Sequence, residues 1–196
     1  MSKSSMRAVF LIVFVMFSAL YAGGQTKYGD KTAPFFKIFT SGTYHMKAKT
    51  TVGKTTTEVE IYCKGGMTAV VTSAEGESMR IVSKNNKTYM IFETSKMIML
   101  APEGGQGFKK PETEKITFTG TGTAVFAGKS LPYDEYANAD GTKSQYFVDG
   151  NKLAGIRNIA PKEGISDIVI SVLDQNVPNT IFDIPDGYTN LSGFGG

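Results

Sequence analysis

Between Met67 and Leu100 apolar and polar positions alternate with a period of two through four short runs, about Met67–Thr72, Ser78–Ser83, Thr88–Glu93 and Lys96–Leu100. Small turn-forming clusters separate them: Ser73-Ala74-Glu75-Gly76, Lys84-Asn85-Asn86-Lys87 and Thr94-Ser95. Strands this short joined by turns this tight pair antiparallel, because a parallel return needs a long crossover. Met79 and Ile81, Met90 and Phe92, and Met97 and Met99 each fall two positions apart. A period of two puts each pair on one face of its strand. The four strands therefore predict a sheet with one soft, apolar face.

The same reading extends to both sides of this meander. Ala33–Phe39 holds Phe35, Phe36, Ile38 and Phe39 behind Pro34, which predicts a short helix with Pro34 in its first turn and Thr32 as its cap. Phe35, Ile38 and Phe39 then share a face at i, i+3 and i+4 and plug one side of the sheet. In Gly42–Thr50, Tyr44, Met46 and Ala48 alternate with His45, Lys47 and Lys49; in Thr55–Cys63, Glu58, Glu60 and Tyr62 oppose Val59 and Ile61. These are half-buried strands whose wet faces can pair lysine with glutamate. Ile116–Phe126 sets threonines on one side and Ile116, Phe118, Gly120 and Gly122 on the other, with the glycines read as facing inward. Asp140-Gly141 and Asp149-Gly150 mark turns between strands at about Tyr133–Ala137, Lys143–Val148 and Lys152–Ile156. Ile165–Leu173 is apolar on both faces, a central strand or a buried helix, with its β-branched residues favouring the strand. Asn179–Tyr188 closes the chain before a Gly-rich tail expected to fray, and Ala101–Thr113, with two prolines and three glycines, reads as a flexible mid-domain loop long enough for a lid. The fold class is mainly β (α+β): a curved antiparallel sheet or half-open β-barrel of about ten to twelve strands with one or two short helices.

The ends change where such a protein works. Lys3 and Arg7 precede the apolar run Ala8–Leu20, and small residues follow at Ala22, Gly23 and Gly24. That is the pattern of a secretory signal peptide over 1–24, too short for a comfortable span and followed at once by polar sequence. The expectation is export to the periplasm or outside the cell as one domain, 25–196, with no stable membrane span once the signal is cleaved; a retained anchor is the rival. Of 21 basic residues two lie in the leader, so 19 remain against 18 acidic ones. The basicity belongs to the leader and gives no reason to expect nucleic acid. Cys63 is the only cysteine, which rules out an intrachain disulfide and reads as a small buried hydrophobe.

Catalytic chemistry finds little footing. His45 is the only histidine and sits beside Lys47 on a wet face. Asp134 and Glu135 are adjacent, so a strand sends them to opposite faces, which makes a poor acid–base pair. There is no G-x-S-x-G elbow and no convergent His, Cys, Asp and Glu spacing for zinc. No catalytic residue, metal or cofactor is expected, and the chain is read as no enzyme. Thioether sulfurs suit Cu(I), yet methionine is an ordinary filler of irregular apolar space. Asn86-Lys87-Thr88 and Asn190-Leu191-Ser192 match the glycosylation acceptor pattern, relevant only in a eukaryotic secretory route.

Signal peptide, short aromatic helix, the phrase MRIVSKNNKTYMI, then GKSLPYDEYANADGTKSQYFVDGNKLAGI and a closing VPNTIFDIPDGY together resemble the LolA-like lipoprotein-carrier superfamily. The F-x-I-P-x-G-Y ending at Phe182–Tyr188 is the most recognisable piece. The resemblance implies a half-open antiparallel barrel with its mouth closed by helices, holding lipid or lipoprotein acyl chains outside the bacterial inner membrane.

Two functions lead on the residues, with an enzyme of unfamiliar type ranked last for want of a convergent polar cluster. One is an exported carrier or sensor of a lipid or acyl-chain ligand, with Met79, Ile81, Met90, Phe92, Met97 and Met99 lining the site. The other is a module of the cell envelope with a filled core that grips a protein partner through its outer face or the Ala101–Thr113 loop.

Overall fold

A computed structural model describes residues 28–52, 55–74, 77–101, 116–138, 141–161 and 164–191. The expected signal peptide and nearly all of the Ala101–Thr113 loop lie outside these residues. One helix, α1 (Ala33–Thr40), precedes six strands: β1 (Tyr44–Val52), β2 (Thr55–Lys64), β3 (Met67–Ala74), β4 (Glu77–Lys84), β5 (Lys87–Phe92) and β6 (Met97–Leu100). Five more follow, β7 (Thr117–Phe126), β8 (Lys129–Ala137), β9 (Lys143–Asp149), β10 (Lys152–Ala160) and β11 (Gly164–Asp174). A 3-10 turn at Asn179–Phe182 and the two-residue β12 (Thr189–Asn190) end the described chain.

All twelve strands belong to one curved sheet that does not close into a barrel, in the order β12-β6-β5-β4-β3-β2-β1-β11-β10-β9-β8-β7. Two meanders, β1–β6 and β7–β11, form two wings, and the seam between them is the antiparallel pairing of β1 with β11. Within each meander every step is a short hairpin, as the turn signals predict. The exception is β12, which pairs with β6 in parallel, Thr189 opposite Met97. That arrangement is open to a segment arriving from far along the chain but not to a hairpin partner.

The inner face carries α1 and the main core. Phe36 stacks on Tyr28 at 4.4 Å and meets Tyr136 and Tyr146 at 5.3 and 5.2 Å, while Phe39 meets Tyr44 edge-on at 5.3 Å. Phe35, Phe36 and Phe39 are the buried residues of α1 and Ile38 is only half-buried. The expected apolar face of Phe35, Ile38 and Phe39 is thus rotated, because the helix nests against aromatic side chains of both wings. Thr32 occupies the N-cap position, but its side chain makes no capping bond. A chain of hydrogen bonds runs instead from the Gly29 N–H to the Tyr136 hydroxyl (2.9 Å), to the Thr32 hydroxyl (2.5 Å) and on to Asp134 Oδ2 (2.9 Å). The segment before α1 is pinned to β8 by this buried network.

The outer face has two separate covers. Over β2–β6 lies the C-terminal segment: Val177 and Phe182 are buried with Ala69, Val82, Ile91 and Ile98, and Tyr188 packs alongside. Over β9 and β10 lies a second cluster of Phe126, Leu131 and Phe147. Its origin is a bulge between Phe118 and Gly120. One extra residue reverses the alternation. Ile116 and Phe118 therefore join the inner core, whereas Ala124 and Phe126 face outward, and the inward orientation expected for Gly120 and Gly122 is corrected. Phe126 then lies over Gly155, where a Cβ would come within 2.4 Å of its ring. Ile165–Leu173 is indeed a strand beside the seam, yet Ile165 and Val169 are exposed because neither cover reaches β11.

The wet face of β1 and β2 pairs as the alternation requires. Lys47 Nζ lies 2.7 Å from Glu60 Oε1, and Lys49 Nζ lies 2.6 Å from Glu58 Oε1. Hydrogen bonds from Lys47 and then Tyr62 hold the Glu60 carboxyl below its ordinary 4.5. A depressed carboxyl stabilises the fold above its unfolded value and loses that contribution as pH falls through the lower folded one. Replacing Glu60 by Gln should therefore flatten part of the fall in stability below pH 4.5, measured by urea unfolding at successive pH values. An unchanged slope would remove Glu60 from the acid response.

Candidate functional site

Cross-strand partners share a face, so the register assembles the inner surface of the first wing row by row. Met46, Ile61, Val70, Ile81, Met90 and Met99 oppose one another in succession from β1 to β6. The adjacent row runs Ala48, Val59, Thr72, Met79, Phe92 and Met97. On the far side Thr68, Ser83 and Thr88 form a polar margin, with the Ser83 and Thr88 hydroxyls 3.0 Å apart. The result is an uncharged apolar strip two residues wide, edged by hydroxyls.

All six residues expected to line a ligand site fall on this strip. Met79, Ile81 and Met90 are buried, while Phe92, Met97 and Met99 are half-buried. Exposure thus increases toward β5 and β6, away from the aromatic contacts of α1 with β1, β8 and β9. Sequence alternation identified the methionine end of the strip. It did not join that end to Met46, Ile61 and Val70, because only the register aligns residues of six different strands.

Among the described residues, the charged groups outside the strip are divided between the two faces of the sheet. The Asp134 side chain is fully buried on the inner face, 3.8 Å from Lys31 Nζ, whereas Glu135 faces outward and accepts from Lys143 and Gln145 at 3.1 and 3.0 Å. His45 stacks on Tyr62 at 4.4 Å between Glu60 and Asp174 on the outer face. The sheet therefore stands between the histidine and the buried aspartate. Among the described residues no three His, Cys, Asp or Glu side chains group as metal ligands, and no helix is long and apolar enough to cross a membrane.

Cys63 is buried in the inner core, and burial pushes its thiol above the ordinary value. Since the thiolate is the nucleophile, labelling by a disulfide reagent is expected to be at least a hundredfold slower in the native protein than in urea. Equal rates would show that this part of the core opens freely.

No family model and no curated protein matches the sequence. Similar solved structures do exist. An uncharacterised conserved protein from Thermus thermophilus superposes with a TM-score of 0.52 at 6% identity, covering 77% of this chain and 90% of that one. At that identity the likeness is one of fold. MucB is similar at a TM-score of 0.43 and 9% identity over 76% of this chain, which spans only 59% of MucB. The LolA superfamily protein NE2245 from Nitrosomonas europaea is similar at 0.39 and 9%, covering 72% of this chain and 89% of that one.

Proposed function

We propose that this chain is an exported, non-enzymatic binding protein of the bacterial envelope that holds a lipid acyl chain against the strip on β4–β6, as a carrier or sensor. The observation that carries the reading is the graded exposure of one continuous apolar strip, from buried Met79, Ile81 and Met90 to half-buried Phe92, Met97 and Met99. An acyl chain needs length, no charge and an adaptable wall. Two rows of side chains across the strands supply the first two, and unbranched methionines supply the third. The Thr68, Ser83 and Thr88 margin offers hydroxyls at the border of the strip for the polar end of such a ligand. The leader read over residues 1–24 supports a location beyond the inner membrane.

Native mass spectrometry of protein purified from an exporting host should show added mass that organic extraction removes. A fluorescent fatty acid should bind the extracted protein, and Met99→Lys should weaken that binding at least tenfold. Met99 is half-buried, and circular dichroism checks that the variant keeps its fold. A bare chain that binds no fatty acid would overturn the reading and favour the protein-binding alternative.

A further inference from the structure

The two ends of the sheet are unlike. One ends in β12, only two residues long; the other ends in β7, ten residues of TFTGTGTAVF without a charge or a proline. Long, uncharged edges are the kind that natural sheets avoid, because their free N–H and C=O groups template another strand. Among the described residues β7 pairs with β8 alone. Thr117, Thr119, Thr121 and Thr123 are exposed, and Val125 is 65% exposed.

The turn after β7 fixes which backbone groups are free. Ala127 and Gly128 both have positive φ, 47° and 80°, as a two-residue type I′ hairpin turn requires. The flanking pair Phe126 and Lys129 is then hydrogen-bonded, and bonded and non-bonded pairs alternate back along the ladder. Ala124 and Gly122 bond to β8, while Val125, Thr123 and Thr121 turn their N–H and C=O groups to the open side. Pro132, opposite Thr123, fits this phase, since no N–H is required of it toward β7. Past the bulge the strand is regular from Gly120 to Phe126, and its outward groups are symmetric about Thr123.

We propose that β7 pairs with β7 of a second copy, antiparallel about a two-fold axis at Thr123, so that one sheet runs through both chains. In that register Thr123 faces its own copy and Thr121 faces Val125, a ladder of exposed β-branched side chains on one face. On the other face Gly122 faces Ala124, small against small. Each Thr and Val contributes one donor and one acceptor, and absent charge leaves no like-charge repulsion at the axis. An isologous pairing closes at two copies, which consumes the open edge without building a fibre. The inference does not depend on the ligand reading.

Single cysteines test the register. Paired Thr123 residues would have Cα atoms about 5.5 Å apart, inside disulfide range. The Val125 positions of the two copies are displaced by about 13 Å and cannot bridge. Under mild oxidation of the full chain purified from an exporting host, T123C should become mostly a reducible covalent dimer. V125C, though well exposed, should remain at the background of the buried Cys63. Thr123→Lys should halve the mass found for the unmodified chain by sedimentation equilibrium, with unchanged circular dichroism. A monomeric T123C, a V125C that cross-links as well, or an unmodified chain that sediments as a monomer would each overturn the proposal; the first would point to another protein as the strand that β7 accepts.

Discussion

Phe36→Ala is expected to destabilise the protein by about 3–5 kcal/mol, within the range for deleting a buried phenylalanine. For a domain of this size that corresponds to a fall of about 6–20 °C in Tm. Phe36 is only 1% exposed and its ring touches Tyr28, Tyr136 and Tyr146. Those neighbours cannot simply collapse into the vacated space. The Tyr136 hydroxyl is tied to Gly29 and Thr32, and Tyr146 is so deeply buried that its phenol is pushed well above its ordinary value. The cavity term therefore adds to the lost transfer free energy. Phe36→Leu, which restores most of the volume, should recover at least half of the loss. Urea unfolding of the two variants measures both, and a loss under about 1 kcal/mol for Phe36→Ala would show that α1 is not an anchor of the core.

The second large effect is at the other wing and on the other face. Arg80 donates from Nε to Glu93 Oε1 at 2.8 Å and from one terminal nitrogen to the carbonyl oxygens of Ile181 and Asp183 at 2.8 and 2.9 Å. Glu93 Oε2 in turn accepts from the Tyr188 hydroxyl at 2.9 Å, a bond that raises the Tyr188 phenol. A single guanidinium on β4 thus fastens the C-terminal segment at two carbonyls and, through Glu93, at Tyr188. Arg80 is 13% exposed, so removing it strands partly desolvated acceptors, and Arg80→Ala should cost about 2–3 kcal/mol. The loss should be local. The amides of Thr189 and Leu191, bonded to the carbonyls of Lys96 and Ile98, should exchange about 30- to 150-fold faster, while those of β1 and β2 keep their protection. Unchanged exchange at Thr189 and Leu191 would mean that Phe182 and its apolar neighbours hold the segment without Arg80.

The closing phrase at Phe182–Tyr188 is explained by this fastening. Phe182 fills the outer core, Ile184 and Tyr188 pack beside it, and Gly187 adopts φ +77° at the turn into β12. The sequence showed an aromatic and a turn, but the strand it would lie against is about a hundred residues away. Nothing in its own period reveals that partner. The same limit applies to Thr32, which has the residue type of a helix cap and is used instead by Asp134 and Tyr136 on β8.

Local chemistry alone determined a good deal of this protein. Turn residues and a period of two marked ten of the strands to within a few residues, β-branched content favoured the strand at Ile165–Leu173, and the same local signals gave the short helix behind Pro34, the lysine–glutamate pairing of β1 and β2, and the methionine strip. These are properties of neighbours in sequence, where sterics and alternation act within a few residues. Tertiary structure decided the rest: the β1–β11 seam, the parallel β12, the rotation of α1, the face reversal at the Phe118–Gly120 bulge and the covering of the outer face. Each of these is set by which distant surfaces can bury each other, and a bulge of one residue is enough to send a whole run of side chains to the opposite face.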